Sequence, residues 1–134
     1  MQVENNKILV VEDYPEMSDI LRIVLENAGF SVTCAKTGEE ALVALRQGKS
    51  PSLIVLDNML PDMTALGFLE KKKNEAVGQN VPVMICSATN FTGNSLLPRE
   101  VVGVLRKPFQ ISELLGAISK FKSANPKVSS GPAH

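Results

Sequence analysis

Five short runs of apolar, mostly β-branched residues punctuate the chain: KILVV at 7–11, FSVTC at 30–34, SLIVL at 52–56, VPVMIC at 81–86 and VVGVLR at 101–106. Each is nearly continuous in its apolarity, the pattern of strands covered on both faces. Between the runs the spacing becomes helical. Met17, Ile20, Leu21, Val24, Leu25 and Ala28 recur at i, i+3, i+4, i+7, i+8 and i+11, with Pro15 suited to the first turn and Gly29 to the stop. Thr37-Gly-Glu-Glu40 opens a second helix in the manner of a capping box, with Ala41, Leu42 and Leu45 inward and Gly48 as its end. A third helix is expected from about 65 to 76, with Lys71, Lys72 and Lys73 mostly on a solvated face. Ile111, Leu114, Leu115, Ile118 and Phe121 form the apolar stripe of the last helix.

Strict alternation of strand and helix predicts an α/β fold: a single doubly wound, five-stranded parallel sheet with helices on both faces. Five strands fit the order 2-1-3-4-5, with ligands at the carboxyl ends near the switch between strands 1 and 3. The weak element is 88–101, ATNFTGNSLLPREV, where Gly93 and Pro98 leave room for only a short or irregular helix. Residues 1–6 read as an N-terminal extension, 7–121 as the folded domain and 122–134, rich in Pro, Ser and Gly, as a disordered tail or linker. His134 at its end is expected to be a frayed terminal residue, not a ligand.

Composition narrows the class. A chain of 134 residues, 44% hydrophobic and 21% charged, suits one globular domain. Lys+Arg and Asp+Glu both number 14, so the net charge is zero and no electrostatic footprint points to nucleic acid or an anionic membrane. No apolar run approaches the roughly 20 residues that span a bilayer. The N-terminal MQVENNK lacks the apolar stretch of a signal peptide, so a cytoplasmic location without membrane insertion is expected. Cys34 and Cys86 sit inside apolar runs without metal-ligand spacing and are expected to be small buried hydrophobes.

The residues that end each run carry the chemistry. Strand 1 ends in Glu12-Asp13, strand 3 in Asp57, strand 4 in Ser87 and strand 5 in Lys107-Pro108. Strands 1, 3, 4 and 5 are consecutive neighbours in the proposed order, so these groups converge on one edge. Alone, each has an ordinary explanation. Glu12-Asp13 could be charge at a helix start, Asp57 a turn residue, Ser87 a cap and Lys107 a surface lysine. Together they form a set. Three clustered carboxylates repel one another unless a cation joins them, and all-oxygen ligands favour a hard ion such as Mg²⁺. Lys107 can hold one phosphoryl oxygen and the Ser87 hydroxyl can donate to another. One carboxylate serves as nucleophile. Asp57, on the central strand between the acid pair and the Ser/Lys side, is selected by position. A nucleotide- or flavin-binding enzyme would need a Gly-rich phosphate loop after strand 1, where EDYPEM stands instead.

KILVVEDYPEM, LIVLDNMLPDM, VMICSAT and GVLRKPF resemble the four signature blocks of response-regulator receiver domains, in that family's order, across roughly 7–121. The resemblance implies a flavodoxin-like fold and a signalling switch that catalyses only its own phosphorylation and dephosphorylation. It implies Asp57 as phospho-acceptor, Asp13 as a direct Mg²⁺ ligand, Glu12 acting mainly through water and the Met59 carbonyl as a further ligand. Ser87 becomes the switch hydroxyl, Lys107 the partner of the phosphoryl group, and Lys107-Pro108 a cis peptide. Met59 and Thr89, two beyond Asp57 and Ser87, flank the phosphoryl group in similar receivers. The implied partners are a histidine kinase or histidine phosphotransfer protein upstream and an unnamed protein or effector domain downstream, with no direct nucleic-acid contact. Three positions depart from the family. Val104 stands where many members carry an aromatic, Thr64-Ala65 where the family usually has Gly, and the fourth-helix region is short and broken. The alternative these raise is a pseudo-receiver, an interaction module without a phosphate cycle.

Overall fold

The computed structural model describes residues 6–48, 50–89 and 97–124, the last four of these by backbone alone. Residues 122–124 of the expected tail continue the last helix; the rest of the tail with His134, most of the extension and residues 90–96 of the weak segment lie outside the described residues. The elements follow as β1 (Lys7–Val11), α1 (Pro15–Asn27), β2 (Ser31–Ala35), α2 (Gly38–Arg46), β3 (Leu53–Asp57), α3 (Ala65–Glu75), β4 (Val83–Ser87), β5 (Val101–Arg106) and α4 (Ile111–Ala124). The strands pair in parallel, as the alternation predicts, in the order β2-β1-β3-β4-β5, an expectation that rests in part on the family resemblance.

The sheet divides the core in two. Leu9, Val11, Ile54, Leu56, Val83 and Ile85 face one side, against Ala41, Leu42 and Leu45 of α2 and Phe68 and Leu69 of α3. Their strand neighbours Ile8, Val10, Leu53, Val55, Met84 and Cys86 face the other, against Leu21 and Leu25 of α1 and Leu114 and Ile118 of α4. Each buried aliphatic side chain contributes on the order of 1.5–3 kcal/mol, so both layers hold the sheet rigidly beneath its carboxyl edge. β5 differs because it is an edge strand: its residues alternate between half-buried and exposed, with Val102 and Val104 outward.

Strand ends differ slightly from the apolar runs. β2, β3 and β4 begin later than expected and extend to Ala35, Asp57 and Ser87. Apolarity marks burial and not pairing. Phe30 packs against the core from outside β2, whereas Asp57 and Ser87 are polar yet stand in register with Cys86 and Arg106. Both chemically important residues are thus strand residues, fixed by the sheet ladder.

Lys72 corrects an expectation. Lys71 and Lys73 are exposed, but Lys72 is only 3% exposed. One turn beyond Phe68 and Leu69, it lies on the helix face turned to the sheet. Its Nζ donates to the Gly78 carbonyl at 3.0 Å and pairs with Glu100, just before β5, at 3.3 Å. A charge can stay buried only when satisfied in this way. Removing one partner leaves the other charge uncompensated. Lys72→Met is therefore expected to lower unfolding free energy by about 2 kcal/mol, less than a fully buried pair would lose because Glu100 keeps some solvent. Adding Glu100→Gln should recover part of the loss in urea denaturation. An additive double variant would show that the two side chains are not coupled.

Candidate functional site

The carboxyl edge of the sheet gathers the predicted residues. Glu12 directly follows β1, where its amide donates to the Ala35 carbonyl at 3.0 Å. That bond holds the Glu12 backbone against β2 and leaves its side chain buried, 4% exposed. One oxygen accepts from the Tyr14 amide at 3.2 Å and the other from Lys107 Nζ at 3.2 Å. Lys107 Nζ also donates to Asp57 Oδ1 at 2.9 Å. Asp13 is exposed, and one carboxylate oxygen from each of Glu12, Asp13 and Asp57 lies within 4.8 Å of the others. Four groups from three distant parts of the sequence therefore share one small volume.

Lys107 reaches the cluster because its amide donates to the Ser87 carbonyl at 2.7 Å, extending the β4–β5 ladder by one bond. The Lys107–Pro108 peptide is cis, as the resemblance implies. Ser87 is fully buried at the same edge, and its Oγ is engaged locally with the Thr89 amide and hydroxyl, each at 3.1 Å. The Ser-x-Thr spacing that allows this turn is visible in sequence, but nothing there showed that it is used.

Past Asp57 the chain is tied in place. The Asn58 amide donates to Cys86 and the Ala65 amide to Asn58, both at 2.8 Å. Met59 pairs with Thr64 across the loop and is 64% exposed. Thr64 has extended backbone angles and its side chain accepts from the Gly67 amide at 3.1 Å. This explains the departure from the family pattern: Thr64 is the N-cap of α3 and Ala65 its first residue, so neither position needs a glycine conformation. Sequence reasoning missed Asp62. Its oxygens accept from the Gly38 and Glu39 amides at 2.9 and 3.0 Å, capping α2 from another loop. Burial opposes the Asp62 charge, but those two amides, with its own amide and the charge of Lys71, hold its carboxyl below the usual range. A cap donated across 24 residues leaves no local signal.

The electrostatics are unbalanced. Three carboxylates face one ammonium, so with all groups ionised two negative charges remain uncompensated. Burial, and then the charge of Asp57, push the Glu12 carboxyl above its ordinary range; Lys107 and the Tyr14 amide offset this only partly. Burial works against the Lys107 charge too, but the hydrogen bond to Asp57 and the charges of Glu12 and Asp57 overcome it and raise its pKa. Burial pushes the Cys86 thiol, behind Asp57, up to about 12, so it is an inert core group and not a nucleophile. A hard divalent cation held by oxygen ligands matches both the residual charge and the donor set.

Residues 8–119 match the response regulator receiver domain family, and the chain belongs to it. It is 33% identical over 110 residues to the probable transcriptional regulatory protein TcrX of Mycobacterium tuberculosis, covering 81% of this chain and 46% of that protein. The chain spans about half the length of the curated relatives it matches. Its fold superimposes on the receiver domain of Francisella response regulator 1452 with a TM-score of 0.76 and 29% identity, covering 90% of this chain and all of that one. Thermotoga maritima response regulator TrrA, solved in complex with Mg²⁺-BeF, gives a TM-score of 0.72 at 23% identity, covering 86% and 97%. Receiver domains are phosphorylation-controlled signalling domains that bind Mg²⁺ in an acidic site, and in this chain Glu12, Asp13 and Asp57 lie together as an acidic cluster. Among the described residues no helix is long and apolar enough to cross a membrane.

The raised Glu12 carboxyl sets a pH prediction. The folded state holds this proton more tightly than the unfolded chain, so ionised Glu12 costs stability above its folded pKa and nothing well below the ordinary 4.5. Glu12→Gln should therefore raise the thermal midpoint at neutral pH in metal-free buffer. The gain should shrink to nothing as pH falls through and below 4.5. A variant that is less stable at neutral pH would contradict the charge balance described above.

Proposed function

We propose that the chain is a switch that accepts a phosphoryl group on Asp57 in a Mg²⁺-dependent reaction, the donor being a phosphohistidine of a sensor kinase or phosphotransfer protein. The observation that carries this reading is the position of Lys107, whose single ammonium is shared by Asp57 and Glu12 while Asp13 stands beside both. A structural salt bridge needs one acid. Three acids around one lysine fit a site that takes a second cation and then an anionic phosphoryl group.

In the proposed reaction an Asp57 carboxylate oxygen attacks phosphorus. The new P–O bond forms as the P–N bond to the donor imidazole breaks, and the imidazole leaves with the bonding pair and takes up a proton. Asp13, Asp57 and the Met59 carbonyl would hold Mg²⁺, with Glu12 acting mainly through water. The ion would neutralise charge on the transferring phosphoryl oxygens. Lys107 would move its ammonium from the Asp57 carboxylate to a phosphoryl oxygen, and Ser87 would donate to another. The working unit is taken as 7–121, cytoplasmic, with a protein and not nucleic acid as its direct partner. Val104, 39% exposed on β5, supports a readout that does not turn on an aromatic rotamer. The same residue, with the short and broken fourth-helix segment, is what favours the pseudo-receiver.

Acetyl phosphate with Mg²⁺ is expected to add one phosphoryl group by intact mass, and Asp57→Asn should abolish the addition. Lys107→Ala should leave some phosphorylation but weaken the conformational response. An unmodified wild type, under conditions that modify a control receiver, would favour the pseudo-receiver. In NMR titration, millimolar Mg²⁺ should shift amides at 12–14, 57–59 and 87. Shifts confined to other residues would defeat the metal assignment.

A further inference from the structure

The Ser87–Thr89 contact has a chemical consequence. A hydroxyl has one proton to donate and two lone pairs to accept with. The Thr89 amide uses one lone pair of Ser87 Oγ, at 3.1 Å. The two hydroxyl oxygens lie 3.1 Å apart, and either can be the donor. If Ser87 donates to Thr89, its only proton is occupied. If Thr89 donates to Ser87, both Ser87 lone pairs are filled and its proton is left for another acceptor. The two arrangements differ only by rotation about C–O bonds, with no heavy atom moved.

The surroundings decide what that acceptor is. Ser87 is fully buried at the end of β4, and its own carbonyl accepts the 2.7 Å bond that fixes Lys107. The residue before it, Cys86, stands in register with Asp57. An anionic group arriving on Asp57 offers oxygens that strongly favour a charge-assisted O–H donor. A hydroxyl that is itself accepting hydrogen bonds is polarised into a better donor. Val104, three residues before Lys107, gives Ser87 no aromatic hydroxyl or ring edge to answer to.

We propose that Thr89 is a positioning residue for phosphoryl recognition: its amide and hydroxyl together fill the acceptor sites of Ser87 Oγ and dedicate the Ser87 proton to the phosphoryl group on Asp57. The idea rests on the phospho-acceptor reading given above and assigns Thr89 a part in it. Thr89 acts through Ser87. It need not touch the phosphoryl group.

The test is a double-mutant cycle read by the rate of modification by subsaturating acetyl phosphate with Mg²⁺, followed by intact mass, with the fold of each variant checked by circular dichroism. Thr89→Val keeps the amide and the shape but removes the hydroxyl, and should slow modification about 3- to 10-fold, the range expected for one hydrogen bond, here part-buried between buried Ser87 and exposed Thr89. Thr89→Ser restores the hydroxyl and should return the rate to within about twofold of wild type. In a Ser87→Ala background, Thr89→Val should have no further effect. The proposal is overturned by a Thr89→Val rate equal to wild type, by a Thr89→Ser rate as slow as that of Thr89→Val, or by an undiminished Thr89→Val effect without Ser87. Failure of wild type to take up phosphate at Asp57 would instead overturn the phospho-acceptor reading, and this proposal with it.

Discussion

The ammonium of Lys107, shared between Asp57 at 2.9 Å and Glu12 at 3.2 Å, is the interaction on which the rest of this edge depends. Without it three carboxylates would converge at the end of a parallel sheet with no counter-charge. With it they are held together but not neutralised. Water penetration keeps such pairs well short of their dry-medium strength, yet burial of Glu12, with the charge of Asp57, raises its pKa despite two opposing partners. The site is thus assembled and left electrostatically unfinished. A cation and an anionic group can complete it in turn, the first answering the excess of carboxylates and the second engaging the lysine.

The fold exists to keep that arrangement in register. Residues alternate between two apolar layers, and the strands they belong to end together, so Glu12, Asp57, Ser87 and Lys107 are carried to one edge by β-ladder bonds and not by flexible loops. Loops add fine control. Asp62 ties the segment after Asp57 to the start of α2, and Thr64 starts α3 where a glycine would have served another backbone path. Positioning by a rigid sheet matters because phosphoryl transfer gains most from correctly placed charge.

Much of this was legible in the sequence. Continuous β-branched runs and helical spacing indicated the five strands, the four helices and their order, and the polar residue ending each run pointed to the site. What escaped notice has a physical reason in each case. Strand limits shifted because Phe30 packs against the core from outside the β2 ladder, while Asp57 and Ser87 lie in the ladder without being apolar. Lys72 read as solvated because a lysine run gives no hint of which member meets a distant glutamate. Asp62 acts on a helix 24 residues earlier in the chain, beyond any local pattern. The hydroxyl pair at Ser87 and Thr89 depends on side-chain rotation, which spacing permits but does not dictate.

The central claim is that Asp57, and not its neighbours, is the carboxylate that carries the phosphoryl group. Borohydride reduction of the phosphorylated chain, followed by peptide sequencing, tests it most directly, because reduction of an acyl phosphate marks the modified residue permanently. The account predicts homoserine at position 57, with Asp13 and Glu12 intact. Reduction product at Asp13 or Glu12, with Asp57 unchanged, would contradict it.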